Sequence, residues 1–255
     1  MSQTIIDRLR AAGCVFAEDE ARVLVSAAGT PAELADMVER RVAGMPLEYV
    51  VGWAEFAGLR IAVEPGVFVP RRRTEFLVRQ AIALAAPDSV VVDLCCGSGA
   101  LGAALVASVP RAELYSADID PTAVRCARRN VPRVYEGDLF DPLPATLHGH
   151  VDVLLANVPY VPSQAIALLP PEARDHEPRT ALDGGADGLD VLRRVAADAT
   201  SWLAPGGHLL TETSEEQAPV AVEVLKGHGL RADVITSDEA TVVIGRCDRA
   251  TGECH

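Results

Sequence analysis

The chain has 255 residues, of which 49% are hydrophobic and 23% are charged, and its formal net charge is −13. This composition is typical of a folded globular protein and excludes an intrinsically disordered one. The acidic total also disfavours a broad nucleic-acid-binding face, because such faces need clustered Lys and Arg side chains, so we expect no stable binding of nucleic acid.

The sequence contains no segment of the ~18 uninterrupted apolar residues that a transmembrane helix needs. Its first residues lack the basic-then-apolar order of an export signal, so we expect a cytoplasmic protein that makes no membrane contact. The cysteines show no paired metal-ligand spacing, which predicts reduced thiols and no metal site. These cysteines are Cys14, Cys95, Cys96, Cys126, Cys247 and Cys254.

Residues 1–45 are predicted to form a small helical module. Ile5 and Leu9 belong to a set of apolar residues at helical spacing. A further helix is expected over Pro31–Val42, because Thr30 precedes a proline at the first helical position.

Residues 46–75 are predicted to form a β-hairpin linker. Tyr49–Val51 and Leu59–Val63 have the composition of extended segments, and Gly52 and Gly58 separate them.

Residues 76–255 are predicted to form the largest unit, in which apolar strands alternate with helices. This alternation favours a parallel sheet covered on both faces. Only Asp238-Glu239-Ala240 lie between the last two strands, so that pair is predicted to be an antiparallel hairpin. The predicted strands are Val90–Leu94, Glu113–Asp118, Val134–Glu136, Val151–Ala156, His208–Thr213, Ala232–Ser237 and Thr241–Gly245. The predicted helices are Ala100–Val109, Pro121–Asn130, Leu189–Leu203 and Glu216–His228.

A glycine-rich turn follows the first predicted strand of this unit. Gly97, Gly99 and Gly102 have the spacing GxGxxG, which allows a ligand to approach the backbone. Ligands of open parallel sheets lie beyond the carboxyl ends of the strands, so we predict a cofactor at this turn. Its expected contacts in the turn are Asp93, Cys95, Cys96, Gly97, Ser98 and Gly99.

Acidic residues follow the next two strands. Asp118, about 20 residues after the glycines, is placed to accept hydrogen bonds from ribose hydroxyls, and Ile119 is expected beside it. Asp138 is predicted to accept from an exocyclic adenine amine and Leu139 to cover the adenine ring. The alternatives are capping of the following helix for Asp118 and an ordinary surface turn for Asp138.

The fourth strand ends in Asn157-Val158-Pro159-Tyr160. An Asn side chain and a backbone carbonyl can each accept one N–H of a planar amino group, and a Tyr ring can stack on it. Methylation of a poorly nucleophilic nitrogen requires such orientation. We predict catalytic roles for Asn157, Val158, Pro159 and Tyr160, with Asn157 also beside the cofactor. The alternative is a strand-ending turn.

The combination of these features distinguishes two cofactors. A nicotinamide enzyme would share the glycine turn and Asp118, but it has no need of an amide clamp. The sequence therefore favours S-adenosylmethionine and transfer of a methyl group to nitrogen.

The chain resembles the protein-(glutamine-N5) methyltransferases of the HemK/PrmC type, which modify release factors. The resemblance extends from about Pro46 to Arg246. Besides the motifs above, it rests on Pro46-Leu47-Glu48-Tyr49-Val50-Val51-Gly52, Pro65-Gly66-Val67-Phe68-Val69-Pro70-Arg71, Thr74-Glu75, Glu177-Pro178, Ala181-Leu182, Gly184-Gly185, Asp187-Gly188-Leu189-Asp190 and Pro205-Gly206-Gly207.

This resemblance implies an α/β fold, the Rossmann-like class I SAM-dependent methyltransferase fold, with a seven-stranded, mostly parallel sheet and an antiparallel C-terminal hairpin. It implies that Asn157, the backbone carbonyl at 158 and Tyr160 hold a glutamine amide. It also implies that the partner is a peptide chain release factor, docked by the N-terminal helical module and modified on the glutamine of a Gly-Gly-Gln loop.

The chain departs from the family pattern at three places. Val158 stands where the family usually has a second proline, which keeps the carbonyl but adds an N–H. Cys95 replaces the first glycine of the turn. Arg72 and Arg73 replace a proline-acid pair, in a basic run that is either a solvated turn or an anchor for an acidic partner or a cofactor carboxylate.

Three other functions remain open from the sequence. An exocyclic amine of adenine or cytosine in nucleic acid could use the same clamp. A non-catalytic adaptor could keep the nucleoside pocket without methyl transfer. A nicotinamide oxidoreductase is the third alternative.

Overall fold

The computed structural model describes residues 2–248, and Cys254 lies outside this range. The chain begins with three helices, α1 (Ser2–Ala11), α2 (Ala17–Ala27) and α3 (Pro31–Val42). The bounds predicted for α3 are confirmed, and the Thr30 hydroxyl accepts the Glu33 N–H at 3.2 Å. These helices share a small apolar core of their own.

The strand predicted at Tyr49–Val51 is wrong, because these residues belong to a short helix, α4 (Leu47–Val51). Tyr49 and Val50 are both buried, whereas neighbouring residues of a strand point to opposite faces. Gly52 ends the helix in the left-handed conformation, with φ of 82°. The Tyr49 hydroxyl donates to the Val67 carbonyl at 2.6 Å and fixes the helix to the chain that follows.

A hairpin is present, but its first strand is β1 (Trp53–Phe56) and not Tyr49–Val51; β1 pairs antiparallel with β2 (Leu59–Ala62), which ends one residue before the predicted bound. Ala57 and Gly58 connect them with φ of 49° and 75°. Two successive residues with positive φ are typical of the tight turns that match the twist of a hairpin.

A seven-stranded sheet forms the centre of the molecule, in the order β5-β4-β3-β6-β7-β9-β8. All adjacent pairs are parallel except those that β9 makes with β7 and β8. The antiparallel pairing of the last two strands is therefore confirmed, and β9 alone runs against the others. The strands are β3 (Val90–Leu94), β4 (Glu113–Asp118), β5 (Val134–Glu136), β6 (Val151–Ala156), β7 (Leu203–Thr213), β8 (Leu230–Thr236) and β9 (Thr241–Cys247).

Helices cover both faces of this sheet, and each face has its own apolar core. The first four predicted strands have the observed bounds. The fifth begins earlier than predicted, because Pro205-Gly206-Gly207 lies inside β7, where the pairing with β6 shifts register. The helices are α5 (Glu75–Leu84), α6 (Ala100–Ser108), α7 (Pro121–Ala127), α8 (Pro171–His176), α9 (Asp190–Trp202) and α10 (Ala218–Gly227).

Residues 163–182, the roof segment, contain short elements that the sequence did not predict. They comprise the 3-10 helices Ser163–Leu168 and Arg179–Ala181 with α8 between them. Two further 3-10 helices are Arg72–Thr74 and Ala145–Leu147. Within the described residues, no helix is long and apolar enough to span a membrane, and no cluster of side chains suits a metal ion.

Candidate active site

The carboxyl ends of β3, β4 and β6 converge on a cavity of about 340 Å³. The roof segment covers one side of it, with Leu169, Ala173 and Leu182 among the lining residues. Most of the residues predicted from the sequence lie on its wall. These are Asp93, Cys95, Cys96, Gly97, Ser98, Asp118, Ile119, Asn157, Val158, Pro159 and Tyr160.

A second, more open cavity of about 590 Å³ adjoins the first and holds Asp138 and Leu139 in its wall. Cys95 and Asp118 line both cavities. Gly99 differs from the other predicted residues, since it lies behind this surface at the start of α6. A Cβ at Gly99 would meet Val131 at 3.0 Å, and its φ is 76°.

Asp118 holds the glycine turn in place. Its carboxylate accepts the Gly97 N–H at 2.8 Å and the Asp120 N–H at 2.9 Å. A carboxylate has about four lone-pair positions, so two remain for a ligand. Burial raises the pKa of Asp118, although these N–H groups oppose the shift. Asp120 caps α7 through the Thr122 N–H, which leaves Asp118 without a capping role.

Asp93 is almost fully buried in the wall of the first cavity. It accepts the Gly102 N–H at 3.0 Å, which ties the end of β3 to the first turn of α6. Burial raises the pKa of Asp93 to about 7, and the nearby Asp118 adds to the shift.

Cys95 and Cys96 lie at the floor of the turn. Cys95 has a φ of 53°, a conformation that usually favours glycine. Burial raises the pKa of both thiols, so they stay neutral and act as small apolar groups at the cavity.

Asp138 is held by an arginine that the sequence analysis did not single out. Arg194 of α9 donates to Asp138 Oδ2 at 2.6 Å. This contact fixes the carboxylate at the wall of the second cavity and occupies one of its oxygens.

Asn157 stands at the end of β6 on the wall of the first cavity. Its Oδ1 atom is buried and has no hydrogen-bond partner among the described residues. An unpaired buried acceptor costs about 1–3 kcal/mol, so such an atom on a cavity wall is suited to accept a hydrogen bond from water or a ligand.

Three residues outside the sequence prediction hold Tyr160. The phenol donates to Glu212 Oε1 at 2.8 Å and accepts from Arg73 Nη2 at 2.8 Å. Gln217 Nε2 donates to the Tyr160 carbonyl at 2.8 Å. Burial raises the pKa of Tyr160 to about 12, and Glu212 contributes to this shift, so the phenol stays protonated. Glu212 lies next to the last residue of β7, and the tendency of ligand sites to lie at the carboxyl ends of parallel strands could have identified it.

Two of the three arginines of the basic run pair with carboxylates of this chain. Arg71 donates to both oxygens of Glu177 at 2.6 Å, and its guanidinium lies 4.9 Å from the Phe68 ring centroid. Arg73 pairs with Glu212, while Arg72 is exposed. Of the two interpretations of this run, the solvated turn applies to Arg72. Arg71 and Arg73 act as anchors, but for carboxylates of this chain.

Comparison with known proteins identifies the family. The chain is 36% identical over 231 residues to the release factor glutamine methyltransferase of Geobacter sulfurreducens, covering 87% of this chain and 78% of that relative. The chain belongs to the release factor glutamine methyltransferase family. It is thus a methyltransferase, and residues 58–168 match the methyltransferase small domain family.

Two other proteins are similar to this chain, one in sequence and one in structure. The 4-amino-L-phenylalanine/4-methylamino-L-phenylalanine methyltransferase of Streptomyces pristinaespiralis is 39% identical over 193 residues, covering 71% of this chain and 65% of that protein. The crystal structure of a methyltransferase from Pyrococcus furiosus superposes with a TM-score of 0.56 at 17% identity, covering 74% of this chain and 89% of that one. The class I methyltransferase fold predicted from the sequence is confirmed.

Proposed function

We propose that this protein transfers a methyl group from S-adenosylmethionine to the side-chain amide nitrogen of a glutamine, in the Gly-Gly-Gln loop of a peptide chain release factor. The observation that carries the proposal is the buried Oδ1 of Asn157 on the cavity wall, which has no partner among the described residues and lies three residues before Tyr160, whose carbonyl and phenol are fixed. The identity to release factor glutamine methyltransferases supports the choice of acceptor.

The residues of the two cavities fit S-adenosylmethionine. Gly97 presents bare backbone to the first cavity, and Asp118 keeps acceptor capacity for ribose hydroxyls. Ile119 is 59% exposed beside it, an apolar surface suited to a ring. Leu139 and the carboxylate of Asp138 lie on the second cavity, where an adenine and its amine would be recognised. When bound, the cofactor supplies an electrophilic methyl group on a sulfonium.

The cofactor contacts that we propose follow from this arrangement. Asp93 lies close to the glycine turn and would accept a hydrogen bond from the methionine end. Gly99 acts indirectly, because its conformation starts α6 beneath the turn. The full set is Asp93, Cys95, Cys96, Gly97, Ser98, Gly99, Asp118, Ile119, Asp138, Leu139 and Asn157.

The acceptor end orients the amide. Asn157 Oδ1 and the carbonyl at Val158 would each accept one N–H of the glutamine carboxamide, which turns the nitrogen toward the donor and favours positive charge developing on it. Tyr160 would stack on the amide plane, and Pro159 fixes the backbone between them. The surplus proton passes to water after transfer, so the clamp needs no strong base.

The three units of the chain have separate roles in this proposal. Residues 1–45 recognise the substrate protein, residues 46–75 connect them through the hairpin, and residues 76–255 carry catalysis. A release factor acts at the ribosome, so the reaction belongs in the cytoplasm. The net charge of −13 favours a protein acceptor over nucleic acid.

The test is to incubate the protein with methyl-labelled cofactor and a release factor from the same cell, then locate the methyl group by mass spectrometry. We expect one methyl group on the glutamine of the Gly-Gly-Gln loop, and none on a release factor in which that glutamine is alanine. Free 4-amino-L-phenylalanine and a mixture of nucleic acids serve as the other acceptors. Transfer only to one of these, or cofactor binding without transfer to any acceptor, would overturn the proposal.

A further inference from the structure

Arg73 is the residue of the basic run that contacts the acceptor end of the site. The residue lies in the 3-10 helix Arg72–Thr74, on the wall of the first cavity beside Tyr160. An acidic side chain at this position would face Glu212, which is buried. Arg73 instead places a positive charge next to this buried carboxylate.

The contacts of Arg73 form a closed triangle. Its Nε donates to Glu212 Oε1 at 3.0 Å, its Nη2 donates to the Tyr160 phenol at 2.8 Å, and that phenol donates to the same Glu212 oxygen at 2.8 Å. Each pair of members shares a bond, so none of the three side chains can rotate without breaking two contacts. The guanidinium of Arg73 can bond to Glu212 and Tyr160 at once because its N–H donors are spread over a fixed plane. The ammonium group of a lysine carries all its donors on one nitrogen and lacks this geometry.

Exposure separates the roles of the three side chains. Glu212 is 2% exposed and does not line the cavity, whereas Arg73 is 47% exposed. The second oxygen of Glu212 has no hydrogen-bond partner among the described residues. Arg73 is the only cationic side chain in this part of the chain that pairs with Glu212, and it does so at the first oxygen. Tyr160 lines the cavity, and its phenol is bound to both Arg73 and Glu212.

We propose that Arg73 is a positioning residue for the acceptor. Together with Glu212 it fixes the plane of the Tyr160 ring against the carboxamide that Asn157 holds. This inference rests on the proposed function, because the ring has to meet an acceptor amide. Its effect falls on acceptor use and leaves cofactor binding unchanged, since the contacts of the glycine turn involve other residues.

The experiment compares Arg73→Gln and Arg73→Lys with Arg72→Gln, a matched control that removes the same charge from the adjacent, exposed residue. The Arg73→Lys variant retains a positive charge beside Glu212. It should therefore stay folded even if the Arg73→Gln variant, which leaves Glu212 without a cation, does not. We expect both Arg73 variants to lower kcat/KM for the acceptor by about 10–100-fold, with the dissociation constant of S-adenosylmethionine within twofold. Arg72→Gln should match the wild type.

A double-mutant cycle with Tyr160→Phe separates positioning from general stabilisation. That variant keeps the ring and removes the phenol oxygen, so Arg73→Lys should cause little further loss in its background. Additive losses, or equal losses for the Arg72 and Arg73 variants, would overturn the inference while wild-type methylation still supports the proposed function.

A spectroscopic measurement does not depend on any acceptor. The chain has four tyrosines, so incorporation of 3-fluorotyrosine gives few fluorine NMR signals, and Tyr160→Phe identifies the one from residue 160. Arg73→Lys should shift or broaden this signal, and Arg72→Gln should not. An unchanged signal would contradict the positioning role even if no acceptor were methylated.

Discussion

Backbone N–H groups hold the two carboxylates of the cofactor end, of which Asp93 is buried and Asp118 half-buried. Asp93 accepts from Gly102, and Asp118 accepts from Gly97 and Asp120. These bonds fix the glycine turn before any ligand arrives, which lowers the entropic cost of binding. The arrangement has a cost of its own, because burial disfavours the charged form of each carboxyl group.

Asp93→Asn tests this cost through the pH dependence of stability. The pKa of Asp93 is about 7 in the folded protein against 3.8 for the ordinary group, so the folded state binds a proton more tightly than the unfolded chain. The free energy of unfolding therefore loses a contribution as pH rises from about 4 to about 7. Asparagine has no such proton, and its oxygen can still accept the Gly102 N–H.

We expect the free energy of unfolding of the Asp93→Asn variant, relative to the wild type, to increase by a few kcal/mol across that interval and to level off above it. Urea unfolding at a series of pH values measures the difference. Two parallel curves would show that Asp93 titrates normally.

Ligand sites of parallel sheets lie at the carboxyl ends of the strands, and this tendency explains which site residues the sequence could predict. Asp93, Asp118 and Asn157 directly follow or end apolar runs, and the structure brings them to one cavity. Arg73 could not be predicted in this way, because its partner Glu212 lies 139 residues further along the chain. The same holds for Arg194, which reaches Asp138 from 56 residues away.

At the scale of elements, Asn130 links the hairpin to the glycine turn. Its carboxamide accepts the Ala62 N–H at 2.9 Å and donates to the Ala62 carbonyl at 2.9 Å and the Ser98 carbonyl at 2.8 Å. It stands just beyond α7, in a stretch that the sequence predicted as helix to its end. The edge strand of the hairpin therefore supports the backbone that lines the cavity.

Asn130→Ala is expected to lower the free energy of unfolding by about 2–3 kcal/mol, because three backbone groups lose their partner. It should also weaken cofactor binding through the loosened Ser98. Arg129→Ala is the matched control, since its side chain is 52% exposed and its contact with Glu64 is long, at 3.8 Å. Chemical denaturation and calorimetric titration measure both effects, and equal losses in the two variants would contradict the link.

The elements that the sequence predicted well are the strands of the large sheet, whose apolar runs are bounded by turn residues. Tyr49–Val51 failed because a run this short fits a strand or a buried helix equally well, and tertiary contacts such as Tyr49 to Val67 decide between them. The roof segment failed for another reason. Its 3-10 turns and α8 have no sustained periodicity and owe their shape to contacts with distant residues such as Arg71 and Arg41.

At the scale of the whole molecule, Arg41 joins the N-terminal helices to the roof segment. It lies on α3 with 7% of its side chain exposed and pairs with Glu20 of α2 at 2.6 Å. A second contact, at 2.7 Å, reaches Glu172 of α8, which lines the first cavity. The helices proposed to recognise the substrate protein are thus connected to the cover of the active site.

Arg41→Ala should lower the free energy of unfolding by about 3 kcal/mol, because it leaves a buried carboxylate without its partner. Arg8→Ala provides the comparison, since the side chains of Arg8 and Glu39 are 40% and 66% exposed. Such a surface pair contributes about 1 kcal/mol or less. Urea denaturation of both variants measures the difference, and similar small losses would show that Arg41 does not carry this connection.

If Asn157 orients the acceptor amide, its replacement by alanine should slow methyl transfer far more than it weakens cofactor binding. Single-turnover methyl transfer by Asn157→Ala is followed at saturating S-adenosylmethionine, while the cofactor's dissociation constant is determined separately by calorimetry. We predict a fall in the transfer rate of at least about 100-fold, with the dissociation constant changed by less than about fivefold. A transfer rate within a few-fold of the wild type would contradict the account.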